Sequence, residues 1–107
     1  MSTNAIIKMA NSGDDKMSVA LYKHWDGYPS ATLPWLEKFN KEFVAARGVN
    51  NPYKFAQLIR SSVSDGPEFN LDPSRDTGWA VVPSNTTAEF VYYLELDGSV
   101  KVINHGE

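Results

Sequence analysis

Cysteine is absent from this chain of 107 residues. Its absence excludes a disulfide framework, a thiolate nucleophile and a Cys-ligated zinc site. Long apolar runs are missing as well, and none approaches the about 20 residues that a membrane-spanning helix requires. The first 16 residues lack a basic segment followed by an apolar one, so no secretory signal is predicted. Together these absences predict a soluble protein of the cytoplasm.

Clusters of Lys and Arg are also missing, and the formal net charge is −3. Residues 1–54 hold seven Lys/Arg against five Asp/Glu, whereas residues 55–107 hold three against eight. A protein that binds the phosphate backbone normally carries a clustered basic face, so we expect no nucleic-acid partner. The acidic second half is expected to be a solvated surface; the alternative is that it mimics nucleic acid towards a basic partner.

The apolar content is 42% and predicts one packed domain over residues 1–107. An apolar run over residues 5–10, a turn-rich segment and an alternating run over residues 17–25 predict a β-hairpin. On the second strand, the alternate residues that start at Met17 form the more apolar face, which is expected to point inward. Tyr22 and His24 are then neighbours on the opposite face.

Two helices are predicted after this hairpin. Thr32 is a suitable N-cap for a helix over residues 33–47, with Pro34 tolerated in its first turn and Gly48 ending it. A second helix begins at Asn51-Pro52 and ends near residue 63. The apolar residues of both segments recur at helical spacing, so each helix is expected to pack one face on the sheet.

Strands return in the last third of the chain. The predicted segments are a brief edge strand at Phe69 and Leu71, a polar loop at 72–78, and strands at 79–82, 89–96 and 99–103. A two-residue turn at Asp97-Gly98 would place Tyr93 beside Val102 and Tyr92 beside Ile103. The order β-β-α-α-β-β-β predicts an α+β fold: a mostly antiparallel sheet with two helices packed on one face.

A histidine, a carboxylate and two large aromatic residues occur together in the segment His24-Trp25-Asp26-Gly27-Tyr28-Pro29. His24 and Asp26 resemble half of a catalytic dyad, because a carboxylate can orient an imidazole. No nucleophile pattern such as G-x-S-x-G accompanies them. We therefore assign no catalytic residue, and expect Asp26 to cap the turn and His24 to hydrogen-bond or stack.

Metal and cofactor sites are not predicted. The two histidines, His24 and His105, have no partners at ligand spacing, and the loop carboxylates Asp72 and Asp76 lack the third ligand of an EF-hand. The glycines are scattered beside turn residues and form no phosphate-binding loop.

Aromatic and charged side chains favour a binding surface instead. Trp25 and Tyr28 belong to residue types that concentrate binding energy at interfaces, and an arginine such as Arg60 or Arg75 can grip a phosphate or carboxylate with two hydrogen bonds. The candidate binding residues are His24, Trp25, Asp26, Tyr28, Arg60, Asp72, Arg75 and Asp76.

The segment 21–29, L-Y-K-H-W-D-G-Y-P, resembles a motif of small proteins of tailed bacteriophages and prophages. In those proteins the motif precedes a helix, and a second helix and aromatic strands follow; here the later features are F-A-Q-L-I-R at 55–60 and E-F-V-Y-Y at 89–93. The resemblance covers about residues 19–103. This chain departs from the pattern at 30–33, where a Gly/acidic stretch is expected, and in its longer 72–88 region.

The resemblance implies a genetic context, namely an accessory protein that a phage or integrated element encodes and that acts in the bacterial host cytoplasm. Three functions are left open. The leading one is a non-enzymatic binder that inhibits a bacterial host protein, with a defence complex as candidate target, in the manner of an anti-CRISPR protein. Its contact surface would be the acidic second half together with the aromatic turn. The second is capture of a nucleotide-like signal molecule by stacking on Trp25 or Tyr28. The third is a hydrolase that uses His24 and Asp26.

Overall fold

The structure is a computed structural model and describes residues 3–10, 17–62 and 78–104. It contains five strands and two helices in the predicted order, which confirms the α+β class. The elements are β1 (Ala5–Met9), β2 (Val19–Lys23), α1 (Pro29–Arg47), α2 (Asn51–Ser62), β3 (Trp79–Pro83), β4 (Phe90–Leu94) and β5 (Val100–Asn104). Over these described ranges, neither helix is long and apolar enough to cross a membrane. The predicted strand at Phe69 and Leu71 lies outside the described residues.

The five strands form one sheet in the order β3-β2-β1-β4-β5. The first strand is therefore the central one, and it pairs with β2 in the predicted antiparallel hairpin. Its other neighbour, β4, runs parallel to it, and Ala5 stands opposite Phe90. The two outer pairs, β2 with β3 and β4 with β5, are antiparallel. The sheet is thus mostly antiparallel, as predicted.

The main core lies between the helices and one face of the sheet. Alternate residues of β1, β2 and β4 contribute to it, together with apolar residues of both helices. Its members are Ala5, Ile7, Met9, Leu21, Leu36, Phe55, Leu58, Tyr92 and Leu94. Each Leu, Ile or Phe removed from water in this way contributes about 1.5–3 kcal/mol. On the opposite face of the three central strands, Ile6, Ala20 and Val91 are buried as well.

Helix α1 begins four residues earlier than the sequence predicts. Its N-cap is Tyr28, and Pro29 occupies the first turn, where a fixed φ and a missing N–H are tolerated. The prediction that Thr32 caps the helix is wrong, because Thr32 lies inside it and its hydroxyl donates a hydrogen bond to the carbonyl oxygen of Asp26 at 2.8 Å. The C-terminus is as predicted: Gly48 has a φ of 69° and its N–H bonds the Val44 carbonyl.

The register of the last hairpin also differs from the prediction by one residue. Tyr92 stands opposite Val102 and Tyr93 opposite Lys101. The connection is longer than two residues, because the N–H of Glu95 bonds the carbonyl of Ser99 at 2.9 Å. This spacing is that of a three-residue loop with a left-handed glycine. Tyr92 therefore joins the core beneath the helices.

A buried polar side chain connects α1 to this hairpin. The amide nitrogen of Asn40 donates to the carbonyls of Glu95 and Ser99, at 3.0 and 2.7 Å. Its Oδ1 accepts a hydrogen bond from the fully buried ammonium of Lys54 on α2, which lies 5.8 Å from the centre of the Phe43 ring. Since buried polar groups require partners, this set fixes the two helices and the loop relative to one another.

Candidate binding site

The residues 24–29 join β2 to α1, and Gly27 fixes where this turn lies. Its N–H bonds the carbonyl of Thr3 at 2.8 Å, and its carbonyl accepts a hydrogen bond of 2.6 Å from the Tyr92 hydroxyl. A Cβ atom on Gly27 would lie 2.8 Å from the Cβ of Ala5, closer than real side chains approach. The turn therefore packs directly against the N-terminal segment and β4, and only glycine fits at position 27.

Asp26 shapes the turn through its backbone. It has a φ of 57°, a left-handed conformation that Asp tolerates better than most residues, and its carbonyl is bonded by Thr32. The side chain is exposed, and within the described residues no hydrogen bond or ion pair engages its carboxylate. The predicted role of Asp26, to cap the turn through its own backbone, is performed by the Asp26 carbonyl, which accepts the Thr32 hydroxyl.

The imidazole of His24 is held by its neighbours, as predicted. A hydrogen bond of 2.8 Å joins its Nδ1 to the Tyr22 hydroxyl, and the Trp25 ring meets it edge-on with centroids 4.9 Å apart. Within the described part of the chain, the imidazole makes no hydrogen bond to Asp26. The nearby Thr32 hydroxyl is buried and bonds the Asp26 carbonyl. Over the described residues, the geometry therefore offers no oriented His–Asp pair, and the Thr32 hydroxyl is already engaged.

Trp25 rests on Gly78, the residue that precedes β3. A Cβ atom on Gly78 would lie 2.5 Å from two carbons of the indole, and the His24 N–H bonds the Gly78 carbonyl at 2.8 Å. The indole nevertheless remains 47% exposed, and Tyr28 is 40% exposed. Both rings are thus presented at the surface rather than buried in the core. Sequence reasoning missed Gly78, although a glycine directly before a strand is a signal for close packing.

The other two tryptophans lie on the helix side of the sheet. The Trp35 and Trp79 rings meet edge-on at 5.8 Å, and the Trp35 Nε1 donates to the Ser61 hydroxyl at 2.6 Å. The ammonium of Lys23 lies 5.1 Å from the centre of the Trp79 ring. Burial lowers the pKa of Lys23, and the nearby charge of Asp26 partly opposes that shift. The aromatic residues therefore divide into a structural group and an exposed group.

Of the remaining predicted binding residues, the structure describes Arg60. It is exposed near the end of α2, and over residues 3–10, 17–62 and 78–104 no hydrogen bond, ion pair or ring contact joins it to residues 24–29. Asp72, Arg75 and Asp76 lie outside the described residues. Among the residues that are described, no group of three or more His, Cys, Asp or Glu side chains is placed to hold a metal ion.

Two cavities of the described structure lie away from the turn. One, of about 190 Å³, is lined by Lys8, Met9, Met17, Val19, Ser84 and Tyr93. The other, of about 250 Å³, is lined by Trp35, Lys38, Phe39, Glu42 and Ser61. Neither contains Trp25, Asp26 or Tyr28 in its lining. These three side chains are each exposed, and we call them together the turn surface.

Comparison with protein-family models, with curated proteins and with solved structures gives no match to this chain. The site is therefore defined by its own geometry: two exposed rings and a carboxylate on a backbone that several hydrogen bonds hold in place.

Proposed function

We propose that this protein is a non-enzymatic binding protein that docks on a bacterial host protein through the turn surface and thereby inhibits it. The host context comes from the resemblance of residues 21–29 to proteins of tailed phages, which makes a defence complex a candidate target. Binding itself is argued from the site. The observation that carries it is the exposure of Trp25 and Tyr28 on a turn of fixed shape.

Exposed tryptophan and tyrosine side chains are well suited to be interface anchors. Such residues dominate measured hot spots, where truncation to Ala costs about 2 kcal/mol or more. An anchor is most effective when its backbone is already in the bound conformation, because less entropy is lost on association. Here Gly27 is bonded to Thr3 and Tyr92, and Trp25 is supported by Gly78. The turn surface meets both conditions.

The same geometry favours a macromolecular partner over a small ligand. Small-molecule sites are concave and bury about 70–90% of their ligand, whereas the Trp25 and Tyr28 side chains are 47% and 40% exposed. A hydrolase is not favoured, because the His24 imidazole bonds Tyr22 and the Thr32 hydroxyl bonds the Asp26 carbonyl. Capture of a nucleotide-like signal stays a prediction that the same set of variants examines.

The test is affinity capture from a bacterial host lysate with the intact protein and three variants. Trp25→Ala and Tyr28→Ala remove the two anchors, and Tyr53→Ala removes a ring on α2 that is 61% exposed and serves as the matched control. We expect a host protein to be retained by the intact chain and by Tyr53→Ala, and to be lost from the other two variants. Equal retention by all four proteins contradicts the proposal. Circular dichroism and melting temperature verify that each variant is folded.

A thermal-shift series with nucleotides and cyclic dinucleotides separates the small-ligand alternative. A ligand at about 100 times its Kd stabilises the folded state by about 2.7 kcal/mol. A rise in melting temperature that Trp25→Ala abolishes, without a captured protein, would favour nucleotide capture over inhibition of a host protein. No response to any nucleotide, together with capture that depends on the rings, supports the proposal.

A further inference from the structure

We infer that the turn surface recognises an arginine side chain, so that the partner presents a basic patch at this point. The inference rests on the proposed function and specifies the chemistry of its partner. Two observations carry it: the Asp26 carboxylate is exposed without a hydrogen bond or ion pair to any described residue, and it lies in sequence between two exposed aromatic residues, Trp25 and Tyr28.

The fold does not need the carboxylate of Asp26. The turn requires a residue that accepts a φ of 57° and a carbonyl that accepts the Thr32 hydroxyl. Glycine or asparagine meets both requirements, since each enters the left-handed region readily. The negative charge at this position is therefore available for a ligand, unlike a charge that a turn uses for its own hydrogen bonds.

A guanidinium group matches this combination better than an ammonium group. It can stack on an indole face while its planar fork donates two hydrogen bonds to a carboxylate. An ammonium is a compact, strongly hydrated charge without a planar face, so it cannot stack on an indole and donate a fork of two hydrogen bonds to a carboxylate at once. Trp25 and Asp26 are adjacent in sequence, and about half of the indole is exposed. One arginine is thus the side chain that uses both neighbours.

The charged and titratable groups around Asp26 do not remove this charge. Lys23 is near enough for its pKa to be raised by Asp26, but its ammonium lies over the Trp79 ring on the helix side of the sheet. The His24 imidazole bonds Tyr22. Neither forms an ion pair with the carboxylate, so over residues 3–10, 17–62 and 78–104 no basic side chain is paired with it.

The experiment is an NMR titration of the full, ¹⁵N-labelled chain with three capped pentapeptides. They are Gly-Arg-Gly-Arg-Gly and its counterparts in which lysine or citrulline replaces arginine; citrulline keeps the shape and loses the charge. We expect the Trp25 indole N–H to shift in a saturable way with the arginine peptide. The Trp35 indole, which is bonded to Ser61, is the internal reference and should not follow. The lysine peptide should bind more weakly and the citrulline peptide should give no saturable shift.

Two variants complete the titration. Asp26→Asn keeps the size of the side chain and its tolerance of the left-handed region. It should weaken binding of the arginine peptide by about 1.5- to fivefold, the range for an exposed ion pair. Glu42→Gln removes an exposed carboxylate from α1 and should leave the affinity unchanged. Equal binding of the arginine and citrulline peptides, or equal binding by Asp26→Asn and the unaltered chain, would overturn the inference.

The two proposals fail separately. If host-protein capture requires Trp25 and Tyr28 but tolerates Asp26→Asn, the proposed function stands and the arginine assignment is overturned. If capture tolerates Trp25→Ala and Tyr28→Ala, the proposed function is overturned, and the partner assignment falls with it whatever the peptides do.

Discussion

Asp97-Gly98 closes the hairpin between β4 and β5, whereas Asp26-Gly27 joins β2 to α1. In the hairpin, glycine takes the left-handed conformation, with a φ of 97°, and the aspartate caps the loop. The Asp97 carboxylate accepts hydrogen bonds from the N–H and the hydroxyl of Ser99, at 2.9 and 2.6 Å, and these bonds lower the pKa of Asp97. In the second turn it is the aspartate that is left-handed, with a φ of 57°, and none of the described residues bonds its carboxylate.

The difference shows how a structural carboxylate is distinguished from an available one. Both turns have the same two residues, and both carboxylates are exposed. The hairpin loop uses the charge of Asp97 to satisfy its own backbone. The turn surface satisfies its backbone through Thr3, Thr32 and Tyr92, and no hydrogen bond or ion pair joins the Asp26 carboxylate to the described residues. Each of the following substitutions acts on one side of this comparison.

The largest expected effect is that of an added methyl group at Gly27. Gly27→Ala forces its Cβ against Ala5, and overpacking of this kind costs about 1–3 kcal/mol. We expect a value near the upper end, because the backbone of Asn4 is equally close and neither neighbour is flexible. The measurement is the free energy of unfolding in urea.

Gly98→Ala is the matched control for this prediction. Its Cβ would meet the chain of Lys41 at 3.4 Å, so the cost there is mainly the left-handed backbone, about 1 kcal/mol. If Gly98→Ala lowers the free energy of unfolding as much as Gly27→Ala or more, the close packing of Gly27 against β1 is not what stabilises the turn.

Removal of the Tyr92 hydroxyl should have the next largest effect. Tyr92→Phe leaves the Gly27 carbonyl without this donor, at a cost of about 1–3 kcal/mol for a buried group. If urea denaturation gives the same free energy of unfolding for Tyr92→Phe and the unaltered protein, this hydrogen bond does not stabilise the turn.

Tyr92 also gives a pH dependence with a defined sign. Burial raises its pKa to about 12, with the Thr32 hydroxyl opposing the shift. The folded state therefore keeps a proton that the unfolded chain loses above a pH of about 10, and stability must fall between about pH 10 and 12. We expect Tyr92→Phe to lose this part of the alkaline decline. Denaturant midpoints at pH 8, 10 and 11 measure it, and parallel declines in both proteins would contradict the prediction.

The smallest expected effects are those of the two carboxylates. Asp97→Ala removes the acceptor of two hydrogen bonds and should lower the melting temperature slightly. Because the pKa of Asp97 is depressed, its contribution is present above the ordinary pKa of 3.8 and is lost as the pH falls through the folded-state value. Asp26→Asn should leave the melting temperature unchanged at both pH 7 and pH 3. If Asp26→Asn lowers the melting temperature as much as Asp97→Ala does, both carboxylates stabilise the folded state, and the contrast between the two turns is wrong.

Much of the fold follows from local patterns in the sequence. Alternation over residues 17–25 placed Tyr22 beside His24, and helical spacing with Gly48 located α1 and its end. The register of β4 and β5 did not follow, because Asp-Gly suits both a two-residue and a three-residue loop. The early start of α1 was missed for a related reason: Thr32 is as suitable for an N-cap as for the internal bond that it makes.

The site was located by its composition but not by its exposure. Whether Trp25 and Tyr28 are core or surface depends on Thr3, Gly78 and Tyr92, which are distant in sequence and meet the turn only through the strand order. No periodicity within the turn itself carries that information. Likewise, Asn40 and Lys54 can be buried only because the hairpin loop packs on α1 and accepts a hydrogen bond from Asn40. That contact joins segments that are distant in sequence.

The parallel pairing of β1 with β4 has a consequence for synthesis and folding. A ribosome releases Thr3 and Ala5 long before Phe90 and Tyr92, and pairing that spans most of a chain closes late and slowly. Until β4 arrives, Gly27 lacks the Tyr92 hydroxyl and the middle strand has only one neighbour. In a nascent or truncated chain that lacks β4, the segment H-W-D-G-Y-P is therefore present, but the contacts that fix the conformation of its turn have not formed. The turn acquires its described shape only after β4 has been synthesised and has paired with β1.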